Sequence, residues 1–151
     1  MRVWSGALVA TIALAAAVTL PACCTRTLSQ AEGARAAQAS VQALATGNNA
    51  AVNEFMQATL VPQDIAGMRR DAFGDGSTAS VRAITTTRIT PLNGPEAKQM
   101  QGWVFDMTVT VTRGGTDTTR TLEVLVTQRS GKPRVLAINA GQTNGEEGES
   151  P

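Results

Sequence analysis

The sequence predicts an α+β fold in which two to three N-terminal helices pack on a curved four-stranded antiparallel sheet, after a signal peptide. Three observations lead there. An apolar run over residues 7–20 precedes everything else. Residues 30–45 repeat apolar side chains at helical spacing behind a capping signature. Residues 103–112 alternate apolar and polar side chains with a period of two, the mark of a strand with one face buried.

The leader comes first. Arg2 supplies one positive charge, and ALVATIALAAAVTL follows, an alanine-rich run shorter than the ~20 residues a helix needs to span a bilayer. Pro21 stops any helix there. With no polar face, residues 1–22 do not read as a core helix, and export is the expectation. Leu20-Pro21-Ala22-Cys23 resembles the bacterial lipobox, in which a small residue precedes a cysteine that is diacylated before cleavage. Leu20 and Ala22 fit that pattern, while Pro21 is an unusual occupant of its position. The resemblance implies that Cys23 opens the mature chain with lipid on its sulfur, holding the protein to a membrane without a spanning helix. The alternative is a secreted protein cut by the general signal peptidase, for which Leu20 is a poor residue three before the cut. Cys24 is a spectator or a thiol that pairs between molecules. Residues 23–28 form a short linker.

Ser29 with Glu32 three residues on has the spacing of a capping box. Behind it, Ala34, Ala37, Val41 and Leu44 fall on one face of a helix over 30–45, which Gly47 ends. Asn48-Asn49 form a turn that also caps a second helix over 50–60, presenting Val52, Phe55, Met56 and Leu60. Pro62 closes that helix and opens a third over 63–72, with Ile65 and Met68 on one side.

Past Phe73 the period changes. Gly74-Asp75-Gly76-Ser77 is a loop, and the threonines and isoleucines of 81–90 favour strand. Residues 91–95 break it, and 96–100 hold a partial turn of helix. In the strand over 103–112, Trp103, Phe105, Met107, Val109 and Val111 face one way. Gly114-Gly115 makes a hairpin tip. The strand over 118–128 returns with Leu122, Val124 and Val126 inward, Ser130 to Pro133 turn, and 135–139 form the last strand. This register predicts burial of Phe105, Val109, Val124 and Val126 and exposure of Thr108, Thr110 and Glu123. The acidic tail, 141–151, has no apolar side chain beyond proline to bury and is expected to be disordered.

Composition narrows the chemistry. The 151 residues carry 13 lysines and arginines against 12 aspartates and glutamates, a net charge of +1. Loss of Arg2 with the leader balances the charges. Such a chain lacks the basic excess of a dedicated nucleic-acid binder, and no basic patch is evident that could replace a lipid anchor. Histidine and tyrosine are both absent, which removes His-based triads, His-ligated metal sites and tyrosine acids. Adjacent cysteines exclude a CxxC redox pair or a cysteine zinc site. No cofactor and no metal site are expected.

Helix, Gly47-Asn48 turn, helix, then long strands with a tryptophan-bearing hairpin resembles the nuclear transport factor 2-like (cystatin-like α+β) fold over residues 29–140. The layout is most similar to small exported lipoproteins and secreted antigens of bacterial envelopes. The resemblance implies a cone-shaped space between sheet and helices, in which enzymes of that fold run isomerase, dehydratase or cyclase chemistry with an aspartate or histidine base and tyrosine or acid donors. Here Asp106 falls on the face away from Phe105 and Met107, as a solvated strand residue would. Asp64, Asp71 and Asp75 lie at helix ends or in a loop, where carboxylates cap amides. The stretch from Phe73 to Ser77 lacks the alternating carboxylates of a calcium loop and the lysine-serine pair of a phosphate loop. Gly131-Lys132-Pro133 reads as a turn, and Arg69-Arg70 as a solvated helix face. Trp103, Phe105 and Met107 read either as core or as the wall of an apolar ligand site, with core favoured by the scarcity of aromatics. The expected function is therefore an exported, lipid-anchored cell-envelope protein, a non-enzymatic module binding a partner protein or an apolar small ligand. The alternatives are a small isomerase or lyase using an aspartate, and a subunit of an envelope or secretion assembly.

Overall fold

The computed structural model describes residues 27–92 and 101–141. The expected leader, Cys23, Cys24, the helical turn at 96–100 and all of the acidic tail beyond Gly141 lie outside the described residues. Three helices are followed by a four-stranded antiparallel meander: α1 Gln30–Thr46, α2 Asn49–Phe55, α3 Pro62–Phe73, then β1 Ser80–Pro91, β2 Gly102–Arg113, β3 Thr116–Arg129 and β4 Lys132–Ala140. The strands lie in the order β1-β2-β3-β4. This is the α+β class the sequence predicts.

Local chemistry sets the helix ends. The Ser29 hydroxyl accepts the Glu32 amide at 3.2 Å, and the Glu32 carboxylate accepts the Ser29 amide at 3.3 Å, which completes the capping box. Gly47, at φ 77°, turns the chain left-handed, and the closing amides of that turn reach the Ala43 and Leu44 carbonyls. Asn48 then caps α2, its side-chain oxygen accepting the Ala51 amide at 3.0 Å. Pro62 opens α3, and Gly74, at φ 76°, ends it.

The second helix is shorter than its apolar spacing suggests. Met56 leaves the helix in an extended conformation (φ −68°, ψ 148°). It makes a parallel bridge to Val135, and the Gln57 amide donates to the Val135 carbonyl at 2.9 Å. Asn53 then braces the turn from both sides, donating to the Leu60 carbonyl at 3.0 Å and accepting the Leu60 amide at 2.7 Å. A tertiary pairing with β4 thus replaces the last turns of the expected helix. A smaller correction concerns the final hairpin. Lys132 and Pro133 already belong to β4, so the turn is confined to Ser130 and Gly131.

Sheet register follows the alternation. Phe105, Val109, Val124 and Val126 are fully buried. Thr108, Thr110 and Glu123 point to the opposite face as expected, but each is half-buried rather than exposed. Neighbouring strands shield them: the Thr110 and Thr119 hydroxyls, for example, meet at 3.0 Å. Irregularities at Val81/Ala83 and Thr86/Arg88 in β1, and at Leu125/Val126 between β3 and β4, bend the sheet. Helix α1 lies across all four strands. Val41, Leu44, Val52, Ile65 and Phe73 meet Phe105, Met107, Leu122 and Val135 in one core between the helices and the sheet.

Candidate functional site

The stripe on β2 is the first place to look for a ligand. Trp103, Phe105 and Met107 all face the helices. Phe105 and Met107 have no exposed surface, and neither lines the surface grooves described below. The Phe105 ring presses so closely on α1 that a Cβ at Gly33 would lie 2.8 Å from Cζ. Trp103 is half-buried, and its indole N–H donates to the Leu28 carbonyl at 3.1 Å. The ring thus closes one end of the core, where the chain enters α1.

The opposite face of the sheet carries a polar groove of about 600 Å³, lined by Thr87, Arg88, Asp106, Thr121, Glu123, Ala140 and Gly141. Its charged floor is a cross-strand row. Arg88 of β1 stands opposite Asp106 of β2, and Asp106 opposite Glu123 of β3. The Arg88 Nε donates to Asp106 Oδ2 at 2.5 Å. Two carboxylates facing each other across a ladder repel. One guanidinium offsets one of them, and Glu123 has no ion-pair partner among the described residues. The groove can therefore accept a cationic or hydrogen-bond-donating group. Asp106 lies on the solvent side, already engaged by an arginine, and no tyrosine or histidine exists to stand opposite it as an acid.

A second groove, of about 440 Å³, sits where β3 turns into β4 and is lined by Gln57, Arg129, Ser130, Lys132 and Arg134. Arg129 and Lys132 are exposed and directly opposite each other. The Arg134 guanidinium donates to the backbone carbonyl of Glu54. None of the three cations has a carboxylate partner among the described residues. The sequence reading, which finds no basic patch and takes 130–133 for a plain turn, passes this cluster over. The signal is present in RSGKPR, because a tight hairpin must bring cations on its two arms together.

The remaining candidates have structural roles. Arg69 departs from the solvated face expected for it and is only 7% exposed. Its Nε donates to the Leu44 carbonyl at 2.7 Å, one Nη to Gly76 O at 3.0 Å and the other to Asn49 Oδ1 at 3.4 Å. It ties the last turn of α1, where carbonyls lack helical partners, to the loop after α3. Arg70 is exposed. Asp75 closes its own loop, accepting the Ser77 amide at 2.9 Å and the Ser77 hydroxyl at 3.0 Å. The amide first, then the hydroxyl, hold its carboxyl below the ordinary value, with Arg113 and Arg70 adding to the effect. Asp64 and Asp71 are exposed on α3. Among the described residues, no three carboxylate, cysteine or histidine side chains gather as a metal site would require. No described helix is long and apolar enough to cross a membrane. Comparison of the chain with protein-family models, with curated proteins and with solved structures finds no match.

Proposed function

We propose that this chain is an exported cell-envelope protein, anchored to a membrane by lipid on Cys23, whose domain of the nuclear transport factor 2-like type works as a non-enzymatic interaction module. The observation that carries the reading is the order of the chain: an apolar leader, a lipobox-like Leu20-Pro21-Ala22-Cys23, and four residues beyond that cysteine the first described residue of a filled α+β domain. Two acyl chains on one cysteine bind a bilayer stably, whereas a single chain gives only marginal attachment.

Two features support a binding module over an enzyme. Phe105 and Met107 are used up in the core, and no histidine or tyrosine exists to stand opposite the carboxylates of the outer groove as an acid. The same filling favours a partner protein over an apolar small ligand, and the groove around Asp106 and Glu123 is a suitable place for a lysine or arginine of that partner. Fractionation of producing cells tests the anchor. Wild-type protein is expected in the membrane fraction labelled by fatty acid, while Cys23→Ser is expected unlabelled and either unprocessed or released. Equal labelling of the two proteins contradicts the reading.

A further inference from the structure

The chain enters the fold at the end of the sheet where Arg129, Lys132 and Arg134 gather, three cations without an ion-pair partner among the described residues. The Leu28 carbonyl accepts the Trp103 indole N–H at 3.1 Å. Trp103 pairs with Val126, and Gly102 with Thr127. The Gln128 amide and the Thr127 hydroxyl both donate to the Gln101 carbonyl, at 3.3 and 3.0 Å. The next residue is Arg129, paired with Lys132. Strand geometry puts the Arg129 backbone about 11 Å from that of Trp103. Glu32, on the first turn of α1, is folded into the capping box. Glu54 offers Arg134 its backbone carbonyl and not its carboxylate. Toward the far end of the molecule Arg82 pairs with Asp117 at 3.6 Å and Arg113 with Asp75 at 3.7 Å, while Arg70 and Arg120, beside the loop at Gly74 and Gly76, have no ion pair among the described residues.

From this juxtaposition we infer that Arg129, Lys132 and Arg134 form a membrane-facing surface that rests on anionic lipid headgroups. The inference builds on the lipid anchor at Cys23. Thr27 lies four residue steps beyond that cysteine, and a fully extended chain covers at most ~3.6 Å per residue. The tether therefore holds Thr27, at the entry to the fold, within about 15 Å of the bilayer surface, on the order of the distance over which an anionic surface acts on a cation. The cations at that end are attracted, while charges at the far end lie beyond the screening distance and contribute little. Anchoring fixes position, and the cationic groove adds orientation, leaving the polar groove around Asp106 and Glu123 free at the side of the domain.

Trp103 stands at this end and reports it. It is the sole tryptophan of a chain that begins at Cys23, and Trp4→Phe in the precursor keeps any unprocessed chain from contributing a second. The protein, purified from membranes, is reconstituted into vesicles of phosphatidylcholine with or without phosphatidylglycerol, each doped with a headgroup-spin-labelled lipid that quenches tryptophan. Quenching of Trp103 is expected to be stronger in the anionic vesicles and to fall to the neutral level in high salt. Each cation at an anionic surface favours the headgroup-bound orientation about fivefold, so Arg129→Gln with Lys132→Gln should reduce it about 25-fold. Both side chains are exposed and without ion-pair partners among the described residues, so the urea midpoint should not move. Removing two cations elsewhere, Arg70→Gln with Arg120→Gln, should leave the quenching as it is. Equal quenching in the two kinds of vesicle, or a double variant at 129 and 132 that behaves as wild type, overturns the inference. Failure of the anchor is read separately, as failure of the wild type to float with neutral vesicles. In that case flotation with anionic vesicles carries the test, and it must be lost in the variant at 129 and 132.

Discussion

Arg69 and Arg70 are neighbours in the sequence with opposite fates, because adjacent helical side chains point about 100° apart. Arg69 serves two backbone carbonyls and an amide oxygen from inside the fold. Removing it takes one hydrogen bond from each of three buried or half-buried acceptors and leaves a gap beside α1, so Arg69→Ala should cost ~2–3 kcal/mol in urea unfolding. Arg70→Ala, at an exposed position, should stay within ~0.5 kcal/mol. A doublet of arginines carries no local sign of this difference, since the carbonyls that Arg69 meets belong to α1 and to the loop after α3. Asp75 offers a pH-dependent counterpart. Its carboxyl is lowered on folding, so the stabilisation it gives is present above the ordinary carboxylate range and is lost as pH falls through the folded value. A carbon-detected NMR titration should place Asp75 below the ordinary range. Ser77→Ala should bring it only partway back, because the backbone amide, the larger cause, remains.

Between elements, α1 fits closely on β2, where Gly33 leaves room for Phe105. Gly33→Ala gains helix propensity of ~1 kcal/mol but drives a methyl group into a ring that is fully buried and cannot swing aside. A net loss of ~1–2 kcal/mol is expected. Gly67→Ala in α3, where an added Cβ meets nothing within 4 Å, should instead stabilise by ~0.5–1 kcal/mol. Urea midpoints of the two variants, moving in opposite directions, check the packing of α1 on the sheet. The same scale shows what a sequence makes legible. The alternation in β2 and β3 fixed which side chains face the helices, because a one-residue slip would invert both faces. The capping box and the glycines at 47 and 74 marked helix ends, because those signals act within one turn. The premature end of α2 was not legible. Met56 has the right spacing for a helix, and only Val135, far along the chain, draws it into an extended bridge. The basic groove was hidden for another reason: net charge averages over the molecule, whereas attraction depends on where unpaired charges collect.

The molecule as a whole divides into three regions. The interior holds the scarce aromatics and is filled. One end combines the start of α1 with unpaired cations. The outer sheet face presents a polar groove in which Glu123 has no ion-pair partner among the described residues. An anchored domain with its cationic end on the membrane would keep that groove available to a partner beside it. All of this rests on where the mature chain begins and what it carries there. Mass spectrometry of the N-terminal peptide, isolated from membranes of producing cells, is the most direct measurement. The account predicts a peptide that starts at Cys23 and bears the mass of a diacylglyceryl group, with Cys24 unmodified. A peptide that starts at another residue, or one that starts at Cys23 without acyl mass, would contradict it.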